Sequence, residues 1–128
     1  MIQVALVLAV LAALLHVFIF YLESIVWTSP QASAVFGHDA ASAEATRELA
    51  FNQGFYNLFL AVAVFAGVAI YLAGQEAVGA TLVLTGTASM AAAALVLLLS
   101  SASHRAAAVK QGTLPTAAAI LLVMGLAF

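Results

Sequence analysis

Apolar residues gather in four long stretches, near 3–27, 51–73, 77–102 and 113–128, and the polar residues collect between them. A helix needs about 20 apolar residues to cross a bilayer, so the first three stretches are long enough as they stand. The fourth gains length from Ala106, Ala107, Ala108 and Val109 on the far side of Lys110, whose long stem can snorkel to the interface. The last span is therefore expected near 108–128. Unbroken runs rich in Ala and Leu are unlike the short alternating segments of a membrane barrel. The pattern predicts an all-α fold, a four-helix transmembrane bundle in one domain over residues 1–128.

The first stretch is read as a retained helix. Ala32-Ser33-Ala34 has the look of a signal-peptide cleavage site, but such peptides carry a basic leading region and an apolar core of about 7–15 residues. Here no Lys or Arg precedes Arg47, and the apolar run is far longer. The connection that follows, about 28–50, is long for a bundle. Ser29-Pro30 is a good helix start and Gly37 a natural stop, which predicts a short interfacial helix between them. Asp39 then caps a second helix whose polar opening, with Glu44, Arg47 and Glu48, extends the second span beyond the membrane.

Composition narrows the function. The chain is 66% apolar and 6% charged, against roughly a quarter charged in soluble domains, which excludes a soluble globular domain. Its Lys and Arg number only 3, too few for the field that nucleic-acid binding requires, so no nucleic-acid partner is expected. The absence of cysteine excludes disulfides, thiolate catalysis and cysteine-ligated metals. Arg47, Arg105 and Lys110 fall in the first and third connections, which share one side of a four-span protein, whereas the second connection offers Gln75 and Glu76. The positive-inside rule then puts those connections in the cytoplasm and both termini outside, with the plasma or inner membrane as the default host.

Polar residues inside the spans carry the candidate chemistry. An acid at a helix centre costs on the order of 2.5–3.5 kcal/mol, so each is a functional hypothesis. His16 lies near the middle of the first helix and Glu23 seven residues on, which puts both on one face roughly 10 Å apart along the axis. Phe20 and Trp27 extend that stripe. The second helix opens with Asn52, Gln53, Tyr56 and Asn57 on one side, and Gly54 permits close approach. The end of the first span and the start of the second share a side, as do His104 and Gln111. Polar residues from all four helices are thus expected to converge on one cytoplasm-facing pocket. The opposite half holds Thr81, Thr85, Thr87 and Ser89, with Gly79 and Gly86, which suit close helix packing. Blander readings stand beside these. Glu23 could reach the headgroups, His16 could bond a facing helix, and the Asn and Gln side chains could be glue worth about 1 kcal/mol per bond. Tyr56 and Trp27 also suit interface anchors, and His38 and His104 ordinary connection residues.

The run from His16 to Glu23, Trp27, Phe36-Gly37, Asn52-Gln53-Gly54-Phe55-Tyr56-Asn57 and Gln111-Gly112 resembles the domain-of-unknown-function 1304 family of small four-helix membrane proteins. The resemblance covers nearly the whole chain, with Thr113-Leu114-Pro115-Thr116 standing where the family has Pro-Ala. It implies the four-helix fold and marks the signature positions, and brings no activity with it.

The leading functional expectation is an enzyme or binding protein for a small apolar or lipid-like molecule taken from the bilayer. Glu23 would act as general acid or base and His16 as its proton partner, while Asn52, Gln53, Tyr56 and Asn57, with Trp27 and Gln111, would bind a polar head. A second expectation is a proton-coupled transporter working as a homo-oligomer through Glu23, similar to small multidrug-resistance exporters in length and span count. Haem on His16 is a minor third. No dedicated metal site is expected, because only Glu23 shares the His16 face. A non-catalytic assembly subunit is the blandest alternative. On this reading a reporter fused after Phe128 is expected to score as external in a topology assay; a cytoplasmic score would overturn the orientation.

Overall fold

A computed structural model describes all residues 1–128 as helices and short connections, with no strand. Helix α1 (Ile2–Phe20) passes directly into a π-helical turn, Tyr21–Ile25. After a bend come α2 (Pro30–Phe36), α3 (Ala40–Leu72), α4 (Glu76–Ser100) and, beyond a 3-10 turn at Ala102–His104, α5 (Arg105–Ala127). Four helices are long and apolar enough to cross a membrane: α1 with its π turn, α3, α4, and α5 with its leading turn. Each packs on the next and α5 closes the ring on α1, so α1 and α4 face one another diagonally.

The first connection is built as its sequence predicts. The Ser29 hydroxyl accepts the Ala32 N–H, Pro30 opens α2, and Gly37 ends it in the left-handed region at φ 73°. The Asp39 carboxylate then caps α3 by accepting the Ser42 N–H at 2.7 Å, a bond that holds its carboxyl below the usual range. At 33 residues α3 is about 50 Å long against a hydrocarbon layer of about 30 Å, so it must extend beyond a bilayer. The first span differs from its predicted extent: helix ends at Ile25, and Trp27 lies in the following turn.

Small residues make the interior. Ala5, Ala9, Ala12 and Ala13 line the inner face of α1 and meet Ala61 and Val64 of α3, Val83 and Met90 of α4, and Ala118 and Leu122 of α5. Larger apolar groups such as Val7, Phe59, Leu95 and Val123 point outward and are more than half exposed. That inversion of a soluble core fits helices solvated by lipid, where association depends on close packing more than on hydrophobic burial. Thr87 is fully buried because its hydroxyl donates to the Val83 carbonyl at 2.7 Å, within its own helix. Pro115 sits buried inside α5, where its ring removes the N–H that would bond the Gln111 carbonyl one turn earlier.

The tightest backbone approach joins α3 to α4 near the second connection. A Cβ at Gly67 would lie 2.9 Å from the Gly79 carbonyl oxygen, and one at Gly79 only 2.6 Å from Tyr71 Cα. Backbone cannot give way as a flexible side chain can. Gly79→Ala is therefore expected to lower stability by about 1–3 kcal/mol in detergent unfolding, whereas Val78→Ala on the exposed face stays near wild type. Equal stability of the two variants would contradict this packing.

Candidate functional site

The site begins with the π turn. Its wider coil closes a hydrogen bond from the Val26 N–H to the Tyr21 carbonyl at 3.1 Å and changes the register just where Glu23 stands. The Ser24 hydroxyl donates across to the Phe51 carbonyl of α3 at 2.8 Å. Gly54 lies directly beneath: a Cβ there would collide with the Ser24 hydroxyl and come within 3.1 Å of Glu23 Cβ. With no side chain in the way, α3 rides against the π turn and the Asn57 amide donates to Glu23 Oε2 at 2.8 Å. A second, longer bond from that amide to the Gln53 carbonyl, at 3.3 Å, steadies it.

His16 continues the alanine stripe of α1 and is only 3% exposed. Its Nδ1 donates to the Ala12 carbonyl at 2.9 Å; since a carbonyl can only accept, this bond leaves Nε2 as the acceptor of the neutral ring, without a protein partner.

Three adjoining cavities open at this end, and Glu23 borders all of them. The inner one, about 490 Å³, is lined by His16, Glu23, Gln53, Asn57, His104 and Gln111, against apolar walls that include Leu60, Met90, Val96 and Leu97. All four spans contribute to it. The second, about 550 Å³, has Glu23, Trp27, Phe36, His38, Asn52 and Tyr56 among its lining, and shares Phe36, Gln53 and His104 with the first. The third, about 470 Å³, reaches outward from Glu23 and Trp27 to Glu44, Arg47 and Glu48.

Of the residues singled out in the sequence, His16, Glu23, Gln53, Asn57 and Gln111 come together at the inner cavity. Asn52, Tyr56 and Trp27 do not join them and line the second cavity instead. The expected single pocket is thus divided. Asn52 turns its amide to the Glu48 carbonyl of its own helix, and Tyr56 is 65% exposed. The Trp27 indole reaches α3, donating to the Ala43 carbonyl at 3.0 Å and the Thr46 hydroxyl at 3.2 Å, while its ring packs against His38 and Phe36. Trp27 left the predicted stripe because the chain bends after Ile25. Sequence reading missed the part played by Phe36 and Ser24, whereas His104, placed with Gln111 on the pocket side as well as read as an ordinary connection residue, does line the inner cavity. His104 forms the shared wall, with Nδ1 held by the Ser101 and Ser103 hydroxyls at 2.7 and 3.0 Å. The signal for Ser24 was Gly54, which announced a close approach without naming its partner. Nowhere do three or more acidic or histidine side chains gather as a metal site.

The profile of a family described as a protein of unknown function, DUF1304, matches residues 10–123. The chain belongs to this family. The matched stretch contains every residue of the inner cavity, so the cavity lies within the DUF1304 domain. Searches of curated proteins and of solved structures returned no match.

A double-mutant cycle on Glu23→Ala and Asn57→Ala is expected to give a coupling of about 0.5–1.5 kcal/mol in detergent unfolding, the usual range for hydrogen bonds between membrane helices. Zero coupling would mean that the two side chains do not act on one another.

Proposed function

We propose that this DUF1304 protein binds or transforms a small apolar or lipid-like molecule in the inner cavity, taken from the cytoplasmic leaflet. The observation that supports the reading best is the hydrogen bond from Asn57 to Glu23 at the wall of a cavity that all four spans line. A carboxyl group is costly at this depth unless it is partnered, and the partner here leaves its other oxygen free. The neighbouring polar atoms complement it: Nε2 of His16 is a hydrogen-bond acceptor, and the Gln53 and Gln111 side chains offer both donors and acceptors. Glu23 is the group suited to act as acid or base, and His16 the one suited to exchange a proton with it through a ligand or water. The walls formed by Leu60, Met90, Val96 and Leu97 suit the apolar part of the molecule. Arg47 in the opening turns of α3, and Arg105 and Lys110 in those of α5, all lie at this end, so the positive-inside rule favours the cytoplasmic side for the cavities.

Native mass spectrometry of the protein released from lipid nanodiscs tests the proposal. The expected result is a discrete bound small molecule on the wild type that is lost in Glu23→Gln, a change that keeps an acceptor for Asn57 and removes only the acid. An empty wild-type protein would refute ligand binding; if dimeric it would favour transport, and if monomeric a packing or scaffold role.

A further inference from the structure

Within that reading of the cavity, the chemistry around Glu23 points to one class of ligand. We infer that the polar end of the ligand is cationic, an amine or quaternary ammonium carried on an apolar tail.

The inference starts from the charges. Glu23 has no cationic partner in the protein. All the Lys and Arg are committed elsewhere or stand in the open: Arg47 lies 3.9 Å from Glu44 on the outer cavity, Arg105 donates to the Leu98 carbonyl, and Lys110 is exposed. Neither the inner nor the second cavity has a Lys or Arg in its lining. An anionic head would meet the acidic side chain with only the imidazoles of His16, His38 and His104 near it, while a cationic head supplies the charge opposite to the one that Glu23 takes on when it gives up its proton. The remaining polar atoms agree, since the free Nε2 of His16 accepts hydrogen bonds, as does the free oxygen of Glu23.

Aromatic residues give a second, independent argument. Glu23 shares the second cavity with Trp27, Phe36 and Tyr56, and aromatic faces attract ammonium groups, Trp most strongly. A carboxylate beside several aromatic rings is a setting that favours a large, weakly hydrated cation over a hydroxyl or a phosphate. Beyond Glu23 the outer cavity adds Glu44 and Glu48 to its lining against Arg47, so the approach from that side is net acidic and favours the same sign. The head then lies between Glu23 and the aromatic residues, and the tail runs into the inner cavity along Leu60, Met90 and Leu97.

The test uses a series with one tail and three heads: decyltrimethylammonium, decanol and decyl sulfate. Each is titrated into the purified protein in an uncharged, sugar-headed steroidal detergent. Trp27, the single tryptophan of the chain, is the fluorescent reporter and lines the second cavity. The ammonium compound is expected to give a saturable change at least about tenfold tighter than the other two, and Glu23→Gln to weaken it by about tenfold or more. Tyr56→Lys changes an exposed position of the same cavity, where folding is not at stake; it should reduce ammonium binding and raise that of decyl sulfate. Equal saturation by decanol or decyl sulfate in the wild type, or an unchanged head preference in both variants, would overturn the cationic assignment and leave the cavity's role in binding intact. No saturable response to any of the three compounds would sink both.

Discussion

A carboxyl group placed in an apolar bundle has to be accommodated, and the rest of this end of the molecule is arranged around that requirement. Glu23 meets its partner Asn57 only because α3 lies unusually close to the π turn, and α3 lies that close only because residue 54 is glycine. The Ser24 to Phe51 bond fastens the same contact from the other side. These are not separate stabilising features. Each sets the position of the next, and the carboxylate ends at the meeting point of three cavities as a result.

The π turn explains how two demands are met at once. The stripe of Ala5, Ala9, Ala12 and His16 needs a regular α-helix to keep its small residues facing the other spans. The contact with α3 needs the chain to turn by a different amount after Phe20. A single turn of wider coil supplies that change without breaking the run of backbone hydrogen bonds, which would be costly inside a membrane. Phe20 then packs edge-on against Phe55, 5.1 Å between ring centres, and helps hold the two helices together beside Gly54.

Much of this was legible in the sequence, for physical reasons that can be named. Apolar runs of membrane length leave the backbone one way to satisfy itself, so the four spans followed directly. Ser29-Pro30, Gly37 and Asp39 encode their caps locally, and the short helix and the long α3 appeared where they were expected. His16, Glu23 and Asn57 stood out because polar groups are rare in such runs. What stayed hidden depended on contacts between distant parts of the chain. No Gly or Pro marks the π turn, so its shift of register left no trace in the residues from Tyr21 to Ile25. The bend that takes Trp27 onto α3, and the wall to which Phe36 of α2 and His104 of the 3-10 turn contribute between two cavities, bring together residues far apart in the chain. Spacing along one helix carries no information about that.

The two ends of the bundle are packed differently. Where Gly67 and Gly79 meet, backbones touch and nothing larger than a hydrogen fits, and Gly125 makes room for the Ile2 side chain. Those contacts join α3 to α4 and α5 to α1 at one end, and such packing has two ways to fail, collision or void. At the other end the lining is more polar and the first connection is longer, with α3 held against the π turn at Gly54. Close contacts therefore hold the helices together at both ends, Gly67 and Gly79 at one and Gly54 against Ser24 beside Glu23 at the other. The contrast between close small-residue packing at one end and a polar lining around His16 and Glu23 at the other is the feature on which the proposed binding role rests.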